Sequence, residues 1–137
     1  MKMIAGAAVA ALLLAGSASG AAAQEVRAER VERVQFARGA SSATMRGRIQ
    51  GYRMVDYLVN ARAGQRMIVQ LDTAGRSTYF VVRAPGSEDN LYDSTSGATA
   101  RLTLPASGDY RIRVFQMRNA ARRNERSNYS LTVRIGN

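Results

Sequence analysis

The chain has 137 residues with 20 basic and 10 acidic side chains, a formal charge of +10, and neither cysteine nor histidine. These absences exclude disulfide cross-links, a Ser-His-Asp or Cys-His catalytic arrangement, and the usual zinc or redox-metal ligand sets. The length suits one domain with one core, whose stability has to come from apolar burial.

The N-terminus reads as an export signal. Lys2 gives a short positive region, Ile4 to Ala15 is an unbroken run of apolar and small residues, and Ala21-Ala22-Ala23 offers a small-x-small cleavage site before Gln24. The run is too short for a stable transmembrane helix. In Leu14-Ala15-Gly16-Ser17, serine stands where a lipoprotein signal carries its acylated cysteine, so no membrane anchor is expected. Cleavage after residue 23 leaves 114 residues, 19 basic and 10 acidic, with a net charge of about +9, in a periplasmic or extracellular product. All of those basic residues are arginine. Codon bias is the simpler explanation of the missing lysines; a surface suited to bidentate contact with carboxylate or phosphate is the functional one.

Residues 24–33 alternate arginine and glutamate without an apolar period and are expected to form a flexible leader. From residue 34 to 137 the pattern is that of an all-β domain. Val34 and Phe36 alternate with polar partners, and Ala43 to Ile49 suits a strand after the Gly39–Ser42 turn. Val55, Tyr57 and Val59 share one face of the next, and Met67, Val69 and Leu71 one face of another. Tyr79 to Val82 is a short, nearly continuous apolar strand, and Pro85 to Ser96 a polar loop anchored by Leu91 and Tyr92. Ala100 to Leu104 forms a further strand before the Pro105–Gly108 turn. Tyr110, Ile112 and Val114 are then expected inside, with Arg111 and Arg113 facing water. Tyr129, Leu131, Val133 and Ile135 close the domain with the cleanest alternation in the chain. Short strands at regular spacing, joined by Gly, Ser and Pro turns, predict a single-domain antiparallel β-sandwich of about eight strands.

Between the last two strands lies Gln116-Met117-Arg118-Asn119-Ala120-Ala121-Arg122-Arg123-Asn124-Glu125-Arg126. An ordinary connection of adjacent strands takes two to five residues and favours Gly, Asn, Asp or Pro. This one is longer and dense in guanidinium groups. Arg118, Arg122 and Arg126 are four apart, so one or two helical turns would put them on one face.

Several stretches read together carry a family resemblance: Phe36 to Ala43, Ile49-Gln50-Gly51-Tyr52, Ala61 to Gln65, Leu104 to Tyr110, and Gln116 through Asn124. From Arg33 to Ile135 the chain resembles the periplasmic inhibitors of goose-type (g-type) lysozyme. The resemblance implies an eight-stranded sandwich that blocks the lysozyme cleft with loop side chains, no catalysis of its own and no cofactor. It singles out Arg118, Arg122 and Tyr52 as partner-binding residues, with Asn119, Ser41 and Ser42 beside them. Position 120 is alanine where the resemblance leads one to expect an acid.

The chemistry fits this independently. A glycosidase cleft holds carboxylates that protonate the leaving group and stabilise positive charge on the sugar. An arginine placed there, away from water, forms a charge-assisted bidentate bond. Any single arginine is otherwise an ordinary solvated charge, which is the reading for Arg123 and Arg126. Glu88, Asp89 and Asp93 in one polar loop read as solvation rather than a positioned acid and base, and with Asn90 they lack the order of a calcium loop. Nucleic acid is not an expected partner, given the export signal, the lack of an aromatic-basic motif and the scatter of arginines along the chain. The competing reading is a non-catalytic secreted module that binds polysaccharide or another envelope polymer through Tyr52, Tyr79 and Tyr92. Goose-type lysozymes are often basic themselves, so affinity is expected to hold or rise with salt as long-range repulsion is screened. A monomer or weak homodimer is expected.

Overall fold

The computed structural model describes residues 30–137; the expected signal peptide and all but the end of the leader lie outside that range. The described residues form nine strands: β1 (Arg30–Arg33), β2 (Ser42–Gln50), β3 (Val55–Ala61), β4 (Arg66–Thr73), β5 (Thr78–Arg83), β6 (Asn90–Asp93), β7 (Thr99–Thr103), β8 (Gly108–Gln116) and β9 (Arg126–Gly136). One short helix, α1 (Arg118–Arg122), joins β8 to β9. The strands make two packed sheets, a five-stranded one ordered β1-β3-β8-β5-β6 and a four-stranded one ordered β2-β9-β4-β7. All pairings are antiparallel except that of β1 with β3. Among the described residues, no helix is long and apolar enough to cross a membrane.

Alternation places the core. Met67, Val69 and Leu71 of β4, Tyr110, Ile112 and Val114 of β8, and Tyr129, Leu131 and Val133 of β9 are all buried between the sheets, as their period of two requires. Two buried tyrosines bring polar atoms into this layer and satisfy them against each other: the Tyr57 and Tyr129 hydroxyls lie 2.6 Å apart, with the rings edge to face. Burial, reinforced by that hydrogen bond, pushes the Tyr129 phenol well above its ordinary range. Tyr110 closes the Pro105–Gly108 turn, donating to the Ala106 carbonyl at 2.6 Å and accepting from the Ala106 N–H at 3.1 Å.

Four expectations change. Arg30–Arg33, assigned to the flexible leader, form β1, in parallel register with Val55 to Leu58. Arg33 fixes that strand with a bidentate bond to Asp109 at 3.0 and 2.9 Å, and Asn60 donates to the same carboxylate at 2.9 Å. The expected Val34–Phe36 strand is instead the chain leaving β1; Val34 is buried and its N–H reaches the Leu58 carbonyl at 2.9 Å. The Pro85–Ser96 loop contains strand β6 and a 3-10 turn at Ser94–Ser96 capped by Asp93, whose carboxylate accepts from the Thr95 N–H at 3.0 Å. Arg113 does not simply face water: its side chain is only 13% exposed and clamps Asp56, itself 1% exposed, at 2.7 and 3.0 Å. Arg111, two residues earlier on β8, reaches the same carboxylate at 3.5 Å.

Candidate functional site

One end of the sandwich is built by α1 and the turn after β2. The helix is short because its sequence offers one amphipathic turn: Ala120 and Ala121 are buried against the sandwich, while Arg118, Asn119 and Arg122 are exposed. The Ala121 N–H donates to the Met117 carbonyl at 2.9 Å. The C-terminal end then closes by a Schellman motif. Asn124 adopts a left-handed conformation at φ 55°, its N–H meets the Ala121 carbonyl at 3.0 Å, and the Glu125 N–H meets the Ala120 carbonyl at 3.1 Å. Asparagine is among the few residues that take this conformation at low cost.

Long-range hydrogen bonds hold this short element in place. The Met117 N–H donates to the Ser77 carbonyl at 2.8 Å. The Glu125 carbonyl receives two donors: the Gly51 N–H at 3.0 Å and the buried Gln116 side-chain amide at 2.7 Å. Below it, Ser127 shares hydroxyl contacts with Thr73 at 2.9 Å and Thr78 at 2.7 Å. The Gly51-Tyr52 turn is thus fastened directly to the α1 loop. Gly51 has φ 60°, a conformation that favours glycine, and a Cβ there would stand 2.8 Å from the Asn124 side-chain oxygen, which would have to shift.

The geometry brings four of the six sequence-named residues together. Arg118 and Arg122, one helical turn apart, share a face, and neither forms an ion pair with another described residue. Asn119 lies between them in sequence, its side-chain oxygen accepting from the Ala120 N–H at 2.8 Å. Tyr52 is 63% exposed at the adjoining turn. Ser41 and Ser42 are elsewhere. Ser42 pairs with Arg134 and Gln50 with Arg126, so the serines sit at the far end of β2, about 27 Å along the strand. Arg123 is engaged by Glu125 at 3.1 Å, and Arg126 is exposed. Ala120 is fully buried, so an acid at that position would face the sandwich rather than the two guanidinium groups.

Gln116, Asn124, Glu125 and Gly51 are the supporting residues that sequence reasoning did not single out. Asparagine past the last helical position is a recognised stop signal; the contacts to Gly51 leave no local trace.

The other candidate clusters have structural uses. Glu88 pairs with Arg83 at 3.7 Å, Asn90 accepts from Arg83 at 3.1 Å, and Asp93 caps its turn. Among the described residues, no three acidic side chains converge as a metal site would require. Of the three tyrosines named as a sugar platform, two have internal ring partners. Tyr92 stacks on Phe80 and donates to the Gly97 carbonyl at 2.7 Å, and Tyr79 packs on Phe115.

No family model matches the chain. It is 36% identical over 106 residues to the inhibitor of g-type lysozyme from Escherichia coli K12, covering 74% of this chain and 78% of that protein. Among solved structures, the g-type lysozyme inhibitor PliG of Aeromonas hydrophila is 38% identical, with a TM-score of 0.73 over 77% of this chain and 96% of that one. PliG of Salmonella Typhimurium is 34% identical with a TM-score of 0.63, over 77% of this chain and 97% of its own. The pre-peptidase C-terminal domain of a Bacillus anthracis collagenase, 17% identical with a TM-score of 0.59, shares the fold alone. With this identity, this coverage and the same two-sheet sandwich, the chain belongs to the family of periplasmic inhibitors of g-type lysozyme.

Proposed function

We propose that this protein inhibits g-type lysozyme by placing α1 in the enzyme's cleft, where Arg118 and Arg122 meet the carboxylates that carry the hydrolysis. The observation that carries this is a pair of exposed arginines one turn apart, without ion pairs to other described residues, on a helix whose flanks three hydrogen bonds and a glycine contact fasten to the sandwich. A fixed helix loses little freedom on binding, so more of the contact energy appears as affinity. Guanidinium groups suit the partner because they match a carboxylate's two oxygens and stay charged at every working pH. Tyr52 adds rigid amphipathic area at the rim, and Asn119 adds polar contact. Ser41 and Ser42, at the other end of β2, are outside this contact.

Lysis of cell-wall suspensions, followed by turbidity with goose-type, chicken-type and invertebrate-type enzymes, tests the reading. Inhibition is expected for the goose-type enzyme. Arg122→Ala should weaken it by about 30- to 700-fold, corresponding to the roughly 2–4 kcal/mol of a charged contact at an interface centre. Full lysis at a large molar excess of the folded wild-type protein would refute the proposal.

A further inference from the structure

The two outer faces of the sandwich treat arginine differently. On the five-stranded sheet each of Arg33, Arg83, Arg111 and Arg113 has a carboxylate: Asp109, Glu88, or the shared Asp56. On the four-stranded sheet, alternation sends Arg46 and Arg48 of β2, Arg66 of β4, Arg101 of β7, and Arg126 and Arg134 of β9 outward, and all six are exposed. None forms an ion pair with another described residue, and Asp72 is the one carboxylate on that face. Arg101 and Arg134 flank Ile68 in a single cross-strand row, which sets them about 10 Å apart.

A general preference for arginine would populate both faces alike; it would not leave six unpaired arginines beside a single carboxylate, Asp72, on one of them. The six fall into two groups, Arg46-Arg48-Arg126 and Arg66-Arg101-Arg134, and within each group neighbouring charges lie at roughly a Debye length and repel, a cost that an anionic partner reverses. The remaining outward residues are mostly threonine, serine, asparagine and glutamine, with no aromatic ring for a sugar to stack on. The face carries two open hollows, one beside Arg46, Arg48 and Asn128 and one beside Arg66, Ile68 and Arg101, and its arginines are spread across all four strands, which suits an extended anionic surface better than a single polymer strand. We infer that this face docks on an anionic phospholipid surface, its arginines contacting lipid phosphates. The strands lie parallel to such a surface and α1 sits at their end, so α1 stays accessible while the face is docked. The inference does not rest on the inhibitor reading.

Co-sedimentation of the full protein with phosphatidylglycerol-containing vesicles and with purely zwitterionic ones tests it. Binding is expected only to the former, and high salt should abolish it. Each arginine near a charged bilayer contributes about fivefold, so Arg46→Gln, Arg101→Gln and Arg134→Gln together should lower partitioning by about 100-fold. Arg38→Gln, Arg62→Gln and Arg76→Gln together, which remove the same charge from exposed positions elsewhere, should lower it by less than about threefold. Should the first triple variant fail to fold, the single Arg46→Gln and Arg101→Gln variants carry the test at about fivefold each. Lysozyme inhibition by the face variants is a separate readout, expected unchanged. Absence of binding to anionic vesicles, equal losses in the two triple variants, or tighter binding to soluble polygalacturonate than to vesicles of matched charge would overturn the inference.

Discussion

Arg122 and Arg113 are the same residue under opposite arrangements. Arg113, within β8, is clamped onto a carboxylate that is almost wholly buried; Arg122, on the α1 tip beyond the same strand, is exposed without an ion pair to any described residue. Burial raises the cost of leaving a charge unmatched, so the sandwich provides Asp56 where Arg113 lies and provides no acid where Arg122 lies. The difference separates two kinds of work. Arginines with a fixed internal carboxylate hold strands together; Arg122, without one, is free on the proposed reading to meet a partner's carboxylates.

The contrast is sharpest where one partner is removed. Asp56→Ala leaves two guanidinium groups without their acid and is expected to lower stability by about 3 kcal/mol in a denaturant titration, while the folded fraction still inhibits normally. Loss of inhibition without loss of stability in that variant would reverse the division of labour. Next in size, Gly51→Ala forces a side chain into a left-handed turn and against Asn124, for about 1–2 kcal/mol of stability. Because that turn fastens Tyr52 to the α1 loop, inhibition should fall with it.

Ionic strength acts more gently. Affinity for a basic goose-type lysozyme should hold or rise slightly from low to moderate salt in a titration series, since screening relieves long-range repulsion while the cleft contact is shielded. A steep fall would indicate that surface charge, not the α1 tip, carries binding. The smallest effect concerns the exposed Arg33–Asp109 pair. Arg33, and then Asn60, hold the Asp109 carboxyl well below the ordinary carboxylate range. A depressed carboxylate stabilises the fold above its unfolded pKa and loses that contribution as pH falls. The melting-temperature gap between wild type and Asp109→Asn should therefore narrow below about pH 4.

Much of the architecture was legible because burial between two sheets imposes a period of two, visible in Met67-Val69-Leu71 and Tyr110-Ile112-Val114. Strand β1 was not, because Arg30-Val31-Glu32-Arg33 has no apolar alternation and is held by pairing with β3 and by Asp109, 76 residues from Arg33. Asp56 escaped notice for the same kind of reason: an acid on an outward position reads as solvated until Arg113, 57 residues on, is seen above it. At the site, the four-residue spacing of Arg118 and Arg122 marked the helix and its shared face, but Arg126, expected on that face too, begins β9 because the helix stops at Arg122. The fastening of Gly51 to Asn124 and Glu125 is a tertiary contact between residues 73 and 74 positions apart, and no local pattern encodes it.

The most direct measurement is calorimetric titration of a g-type lysozyme with the wild-type protein and with the Arg118→Ala, Arg122→Ala double variant, after matching their melting temperatures. If the α1 tip enters the cleft, the double variant binds at least about 100-fold more weakly with its fold intact. Affinity within a few-fold of wild type would contradict a cleft contact made by these two arginines.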